Sequence, residues 1–355
     1  MKSVILTFFD SYPPKTGSGV VCVDFFNLWP SKSKKLFQFS LAKKKEKNIE
    51  TINIFRNKPF FKLIGLPIMI LRIIKYFKDE KKKMIIIEGP SWIFYSFVVI
   101  FFFRIYYKNV SIIYRSHSVE YEIRKKNSSK IIQYLTKIME NYVINKSNIA
   151  TSVSKKEKNI FKKYYKKKTY LFPNSIDLER LKFLKPIKKK NIPEKFILFC
   201  GSYDYKPNKE AIDFIRKEIL TELIKKNIYL VLTGNHKINF EDTRIYNLGF
   251  ISMGELKYLH NKSICLFTPI KEGYGTRIKI LEALAYNNRI ISTIKGIEGI
   301  EFQSNKNIKI VKHKNEMINQ IIEFSKVKKK KTFNKFMNNY SMRINSKKLF
   351  NSLSL

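Results

Sequence analysis

Short apolar runs, separated by glycine, proline and polar turns, recur along the chain. Residues 3–9 (SVILTFF), 84–89 (MIIIEG), 110–116 (VSIIYRS) and 148–154 (NIATSVS) have strand length and are largely continuous rather than alternating. LFQFSLA and IETINIF read as weaker strands. Continuous apolarity predicts strands buried on both faces, as in a parallel sheet covered by helices. Between these runs the spacing turns helical, and the longest such segment lies between Val119 and Lys146. The alternation stops in KFLKPIKKKNIPEK (182–195), whose two prolines and lysine run read as a linker. It then restarts, with strands at 196–202, 228–234, 244–250, 264–269 and 289–293 and helices at 208–226, 253–260 and 276–286. Strand–helix alternation implies parallel sheets joined by right-handed crossovers. The expectation is therefore two α/β domains in tandem, 1–181 and 196–330, facing across a cleft. A basic tail, 331–355, reads as a terminal helix returning to the first domain.

Two apolar runs are longer. WIFYSFVVIFFF (92–103), closed by Arg104, falls short of the ~20 residues that cross a bilayer. PFFKLIGLPIMILRIIKYFK (59–78) carries Pro67, a kink or helix start. Each run fits either a buried helix or a face dipping into a membrane surface. The N-terminus, MKSVILTFFDSYPP, has too short an apolar run for a signal peptide and reads as the first strand.

The formal charge of +42, from 70 Lys+Arg against 28 Asp+Glu, would attract phosphates, nucleic acid or an anionic membrane. Much of it also fits the Lys-, Asn- and Ile-rich usage of an AT-rich coding sequence. The lysine runs are dispersed and no nucleic-acid motif appears, so nucleic acid is not the expected partner. Cys22, Cys200 and Cys265 lie far apart, which predicts free thiols in a reducing, cytoplasmic setting. The histidines lack metal-ligand spacing and no D-x-D occurs, so no metal and no resident cofactor is expected.

The most informative stretch is TPIKEGYGTRIKILEALAYNNRIIST (268–293). It ends a strand, turns through Gly273 and Gly275, and enters a helix. Such a junction presents a ligand site at the carboxyl edge of an α/β sheet. The glycines let backbone N–H groups approach an anion. The helix N-terminus adds unpaired N–H groups, and Arg277 and Lys279 add full charges suited to a diphosphate. Glu282, one turn on, would repel phosphate but can accept hydrogen bonds from a ribose diol. The same pattern also fits an amphipathic helix with a solvated charged face.

EGYGTRIKILEALAYNNRIIST, followed by GIEGI, resembles the donor-binding signature of family 4 glycosyltransferases. FPNSID (172–177), FCGSYDYKPNKEAIDFI (199–215), LTGN (232–235), NLGFIS (247–252), YRSHSVEYE (114–122) and KTGSG (15–19) resemble further segments of that family in the same order. The resemblance implies a GT-B fold of two Rossmann-like domains. It implies retaining, metal-independent transfer of a sugar from a nucleotide-sugar to a glycan or lipid-linked acceptor hydroxyl. Surface polysaccharide or glycoconjugate synthesis at the inner face of a membrane is the setting it suggests. It assigns Arg277 and Lys279 to the leaving diphosphate and Glu282 to the ribose. Glu272, Gly273, Tyr274, Gly275 and Thr276 fall to the sugar and phosphate, and His117 to the reacting sugar. Gly17, Gly19, Gly201, Ser202, Thr233 and Gly234 become donor contacts through loops and strand ends.

Three departures stand out. Glu272 lies ten residues before Glu282, where the common spacing would place Tyr274. The loop after FCGS lacks the usual Arg and Lys, and the spacing of Lys206 does not replace them. GSG stands for the more usual double glycine near the start. Glu88 ends a strand and is a candidate for lining the cleft, whereas Glu120 and Glu122 read as helix starters. A nucleotide-sugar epimerase of the same architecture and a basic nucleic-acid-binding protein are the alternatives.

Overall fold

The computed structural model describes residues 1–14, 16–42, 46–89, 91–107, 109–235, 242–273, 277–300, 307–329 and 335–353. The chain parts into two compact units, one of Met1–Ser175 with Met342–Leu355 and one of Ile176–Ser341.

In the first unit, β1 (Lys2–Thr7), β2 (Ser33–Ser40), β3 (Ile49–Asn53), β4 (Lys83–Glu88), β5 (Val110–Arg115), β6 (Ile149–Ser152) and β7 (Tyr170–Leu171) form one sheet. Its order is β3-β2-β1-β4-β5-β6-β7 and every pairing is parallel. The second unit pairs β8 (Phe196–Cys200), β9 (Tyr229–Thr233), β10 (Ile245–Asn247), β11 (Leu266–Thr268), β12 (Ile290–Ser292) and β13 (Ile308–Ile310) in the order β10-β9-β8-β11-β12-β13, again all parallel. Both are doubly wound, Rossmann-like sheets in which the strand order reverses once. In the second unit the reversal falls between β8 and β11, and ligands bind such sheets beyond the carboxyl ends of the strands at that point.

Handedness sorts the helices of the first unit. The crossovers from β3 to β4 and onward to β7 all step the same way. They place the helices Pro59–Phe77, Ile93–Tyr106, Lys130–Lys146 and Lys155–Tyr165 on one face. Alternate strand residues such as Leu6, Phe39, Ile87 and Tyr114 meet Met69, Ile73, Val99, Phe103, Val143 and Phe161 there. Each fully buried side chain of this size contributes roughly 1.5–3 kcal/mol. The step from β1 to β2 runs the other way, so helix Gly17–Leu28 covers the opposite face, packed with helix Met342–Asn351. The basic tail therefore ends in a helix that counts with the first unit.

The structure differs from the sequence pattern in three places. The segment between Val119 and Lys146 is two helices, Glu120–Asn127 and Lys130–Lys146, because Ser128 is extended and Ser129 caps the second. The Glu140 carboxylate accepts the backbone N–H groups of Glu120 (2.7 Å) and Tyr121 (3.1 Å) and so caps the first. The helical stretch after β8 is interrupted by a π turn at Ile215–Ile219. Residues 182–195 are docked rather than spanning. Lys257 Nζ donates to the carbonyls of Leu181, Lys182 and Leu184 at 2.8–3.0 Å, and Ile187 N–H donates to Gly254 O at 3.0 Å. The boundary between units accordingly lies after Ser175. Pro67 sits inside its helix, which runs on through it.

Glu140 carries a pH signature. Burial pushes its carboxyl up to about 7, against the hydrogen bonds from Tyr165 and the two backbone amides. A raised folded pKa favours the protonated form. Its contribution to stability is thus complete below the unfolded value, near 4.5, and is lost as pH rises through about 7. Thermal unfolding followed by circular dichroism should show the wild-type Tm falling across this window. In Glu140→Gln that component of the fall should be absent.

Candidate active site

At the β8 end, Gly201 adopts φ +146° and at the β9 end Gly234 adopts φ +128°. Both conformations are ones that side-chain-bearing residues rarely adopt. The need is steric as well: a Cβ on Gly234 would lie 2.7 Å from Gly201 O, and one on Gly201 would lie 2.6 Å from Asn208 Nδ2 and 3.0 Å from Lys279 Nζ. The two loops are tied together. Gly201 N–H donates to Thr233 O (2.8 Å), and Ser202 Oγ donates to Asn235 O (3.0 Å). Gly234 N–H is used on Gly249 O (2.9 Å).

Lys279 lies in the first turn of helix Ile278–Ala285, which follows β11. Its ammonium donates to Asn208 Oδ1 at 3.1 Å and sits 4.4 Å from the centre of the Phe199 ring. Asn208 is itself held, its amide donating to Ser202 O at 2.9 Å. Burial pushes the Lys279 ammonium down to about 7. Arg277 acts in the same direction, while Cys200 and Glu282 oppose it. Arg277 is 9% exposed at the N-cap position, and its guanidinium donates to Glu272 O at 3.1 Å. Gly273, at φ +115°, gives the guanidinium and the Tyr205 hydroxyl room that a Cβ would take. Glu282, also 9% exposed, is one turn beyond Lys279. Its charge and burial both hold the Tyr286 phenol above its ordinary value, burial being the larger cause.

The charged positions of this helix therefore gather at one junction, Arg277 and Glu282 buried and Lys279 half-buried, rather than being arrayed on a solvated face. Arg277, Lys279, Gly201, Ser202, Thr233, Gly234, Glu272, Gly273 and Glu282 belong to the second unit. Tyr274, Gly275 and Thr276 lie outside the described residues. Asn208, Phe199 and Tyr205 were not singled out from the sequence. The only local signal for Asn208 is its place in the first turn of the helix after Gly201, just behind Pro207. Lys206 is exposed and pairs with Glu210 at 3.7 Å.

The first unit holds a second constellation. Register places Glu88 on β4 opposite Arg115 on β5. The fully buried Glu88 carboxylate accepts from the Arg115 guanidinium with one oxygen and lies 2.7 Å from His117 Nε2 with the other. Arg115 is clasped between the Phe25 and Phe172 rings, 3.8 and 4.5 Å from their centres. Burial alone would raise the Glu88 carboxyl, but Arg115 and then His117 outweigh it and hold it below the ordinary value. The pair thus fixes the imidazole ring with Nδ1 turned from the carboxylate. Cys22 Sγ, Glu88 and His117 bring three ligand-type atoms within 4.8 Å of one another. This set does not suit a cation. Arg115 already neutralises Glu88, and burial pushes the Cys22 thiol well up. Thr16 caps the helix beginning at Gly17, its Oγ1 accepting from Gly19 N–H at 3.2 Å. Gly19 packs closely, since a Cβ there would lie 3.1 Å from Ser11 O, whereas Gly17 is exposed. Glu120 and Glu122 pair with Arg124 and Lys125 within their own helix.

Residues 194–326 match the family model described as glycosyl transferases group 1. The matched residues lie within the second unit and include Arg277, Lys279 and Glu282. Sucrose-phosphate synthase from Thermosynechococcus elongatus aligns over 99% of this chain and 95% of its own, at 14% identity and TM-score 0.66. Anabaena HepE in complex with UDP-glucose aligns over 99% and 95%, at 12% identity and TM-score 0.62. The UDP-GlcNAc 2-epimerase from Methanocaldococcus jannaschii aligns over 100% and 99%, at 12% identity and TM-score 0.60. At these identities the likeness shows the fold, the two Rossmann-like domains of GT-B proteins. No curated protein matches the chain in sequence.

A lysine whose folded value is depressed to about 7 from 10.5 contributes stability above the higher value that is lost as pH falls through the lower one. Lys279→Met should therefore raise Tm most below about pH 7. The gain should shrink steadily toward pH 10.5, as read by calorimetry across the series.

Proposed function

We propose that the chain transfers a sugar from a nucleotide-sugar to an acceptor hydroxyl. The observation that carries this reading is a pair of cations opening one helix where the strand order reverses: Arg277 at the cap, and Lys279 in the first turn held by Asn208. Two like charges at one helix opening gain most from an anion with two negative groups. A diphosphate is such an anion. As the anomeric bond breaks, negative charge grows on the leaving diphosphate. Arg277, Lys279 and the amides opening helix Ile278–Ala285 meet that charge where it develops, which is the term that accelerates the step. Because the chain itself supplies these charges, we propose a metal-independent transfer. Glu282, one turn deeper, is proposed to accept from the ribose hydroxyls.

His117 is proposed to act on the sugar, through the ring nitrogen that Glu88 does not engage. Glu88 has both oxygens committed to Arg115 and His117, so it is not proposed as a nucleophile. Retention of configuration, with the leaving phosphate assisting the acceptor, belongs to the same proposal and draws its support from the motif likeness. A UDP-sugar is the first donor to try, because a protein of the same fold was solved with UDP-glucose. A glycan or lipid-linked acceptor, in polysaccharide or glycoconjugate synthesis, completes the reading. Epimerisation has the fold in its favour, but the domain match favours transfer.

A thermal-shift panel of nucleoside diphosphates and nucleotide-sugars, beginning with UDP-glucose, tests the reading. At least one member should stabilise the protein by mass action. Glu282→Ala should weaken that ligand about tenfold, equivalent to about 1.4 kcal/mol. Lys279→Ala should lower kcat on the order of 10²–10³-fold with a smaller change in KM. A panel without any stabilising ligand, or a Lys279→Ala enzyme with unchanged turnover, would sink the proposal. A C2-epimerised donor as the product would replace it with the epimerase.

A further inference from the structure

Three neighbouring helices on one face of the first unit keep apolar side chains in water. On helix Pro59–Phe77, Phe60, Ile64, Ile68 and Leu71 are 46–65% exposed. Their spacing of four, four and three residues draws one stripe along the helix, about 16 Å long at ~1.5 Å per residue. On helix Ile93–Tyr106, Phe101, Ile105 and Tyr106 are 46–67% exposed. On helix Lys130–Lys146, Ile131, Tyr134, Leu135 and Ile138 are 47–72% exposed, again one helical stripe. The first of these helices packs on the second, and the second on the third. The Phe101 and Phe97 rings both lie against Tyr142, 6.0 and 5.1 Å between centres, and join the second stripe to the third. Monomeric proteins seldom leave apolar surface this continuous without a use for it.

The exposed charges of these three helices have one sign. Within the three helices the single carboxylate is Glu140, which is buried. The exposed charges are cations: Arg72 and Lys75 on the first helix, and Lys130, Lys137 and Lys146 on the third. Beside the third helix, helix Lys155–Tyr165 and the turn after it expose Lys155, Lys156, Lys162, Lys163, Lys166 and Lys168. Among the described residues no helix is long and apolar enough to cross a membrane. Partly exposed Glu50, which lies 3.7 Å from Arg72, and Glu157 flank the face, but cations outnumber them, and apolar stripes framed by lysine match a surface that is oily beneath and anionic above. A second copy of this chain would bring the same cations against these cations. A nucleic acid would satisfy the lysines but leave the isoleucines and leucines in water.

We propose that this face docks on the surface of an anionic lipid bilayer, with the apolar stripes entering the headgroup–acyl boundary and the lysines at the phosphates. The contacts with anionic headgroups are screened by salt, while the apolar part is not. The surface stands apart from the transferase reading, since docking needs neither donor nor turnover.

Vesicle flotation tests it directly. The protein should float with mixed phosphatidylcholine–phosphatidylglycerol vesicles and stay with the soluble fraction when the vesicles are phosphatidylcholine alone. Raised salt should weaken the binding. Ile68→Glu with Leu71→Glu, and separately Ile131→Glu with Ile138→Glu, should each cut the floated fraction by about tenfold or more. These positions are exposed, so Tm should hold. Phe183→Glu, an equally exposed apolar residue of the second unit, should float as wild type. Flotation that ignores the glutamate pairs overturns the proposal, as does no flotation at all. A dimer seen by sedimentation that the same pairs dissociate, without vesicle binding, would assign the face to a second copy instead.

Discussion

The placement of one ammonium, Lys279, organises the junction beyond β8 and β11. Lys279 can lose hydration only because Asn208 offers it an oxygen and Phe199 offers it a ring face. Those partners come within reach only because Gly201 lacks a side chain. Gly201 in turn holds its unusual backbone because its N–H is bound to the β9 end and Gly234 lets that end approach. One desolvated charge thus explains two glycines, an asparagine and an aromatic residue that would otherwise look unrelated. Arg277 adds a second positive charge to the same junction, and burying like charges together raises the energy of the empty site. In the proposed reading, a doubly charged ligand would lower that energy and the cost in the free protein would become leaving-group stabilisation.

The first unit uses the same logic with the sign reversed. Glu88 is fully buried, and its ionised form survives because Arg115 and His117 stand on either side. The sheet register sets this up, since Glu88 and Arg115 are direct cross-strand partners. The aromatic clasp on Arg115 removes its freedom to turn away. His117 is left with one nitrogen fixed, which is how a protein orients an imidazole toward a ligand.

The helices of this unit divide their two sides between different solvents. Met69, Ile73, Val99, Phe103 and Val143 complete the core. On the same helices, Ile64, Leu71, Ile105 and Leu135 point to the exterior. The two long apolar runs in the sequence admitted a buried helix or a membrane-facing one. The folded chain divides each run lengthwise, because a helix presents both faces every 3.6 residues.

Much of this was legible in the chain itself. Continuous apolar runs set most of the parallel strands, since a strand buried on both faces favours apolar side chains at successive positions. The run from Thr268 to Thr293 marked the strand–turn–helix junction, because glycines, cations and a carboxylate sit at fixed offsets on one local element. Local spacing did not reveal the break at Ser128, because the carboxylate that caps the preceding helix comes from Glu140 on the next one. Nor did it show residues 182–195 docking through Lys257. Asn208, Phe199 and the Glu88–Arg115–His117 cluster could emerge only from the tertiary structure. Each joins residues on different strands or helices, and distance in space between such residues is decided by strand order and register, which a linear pattern does not encode.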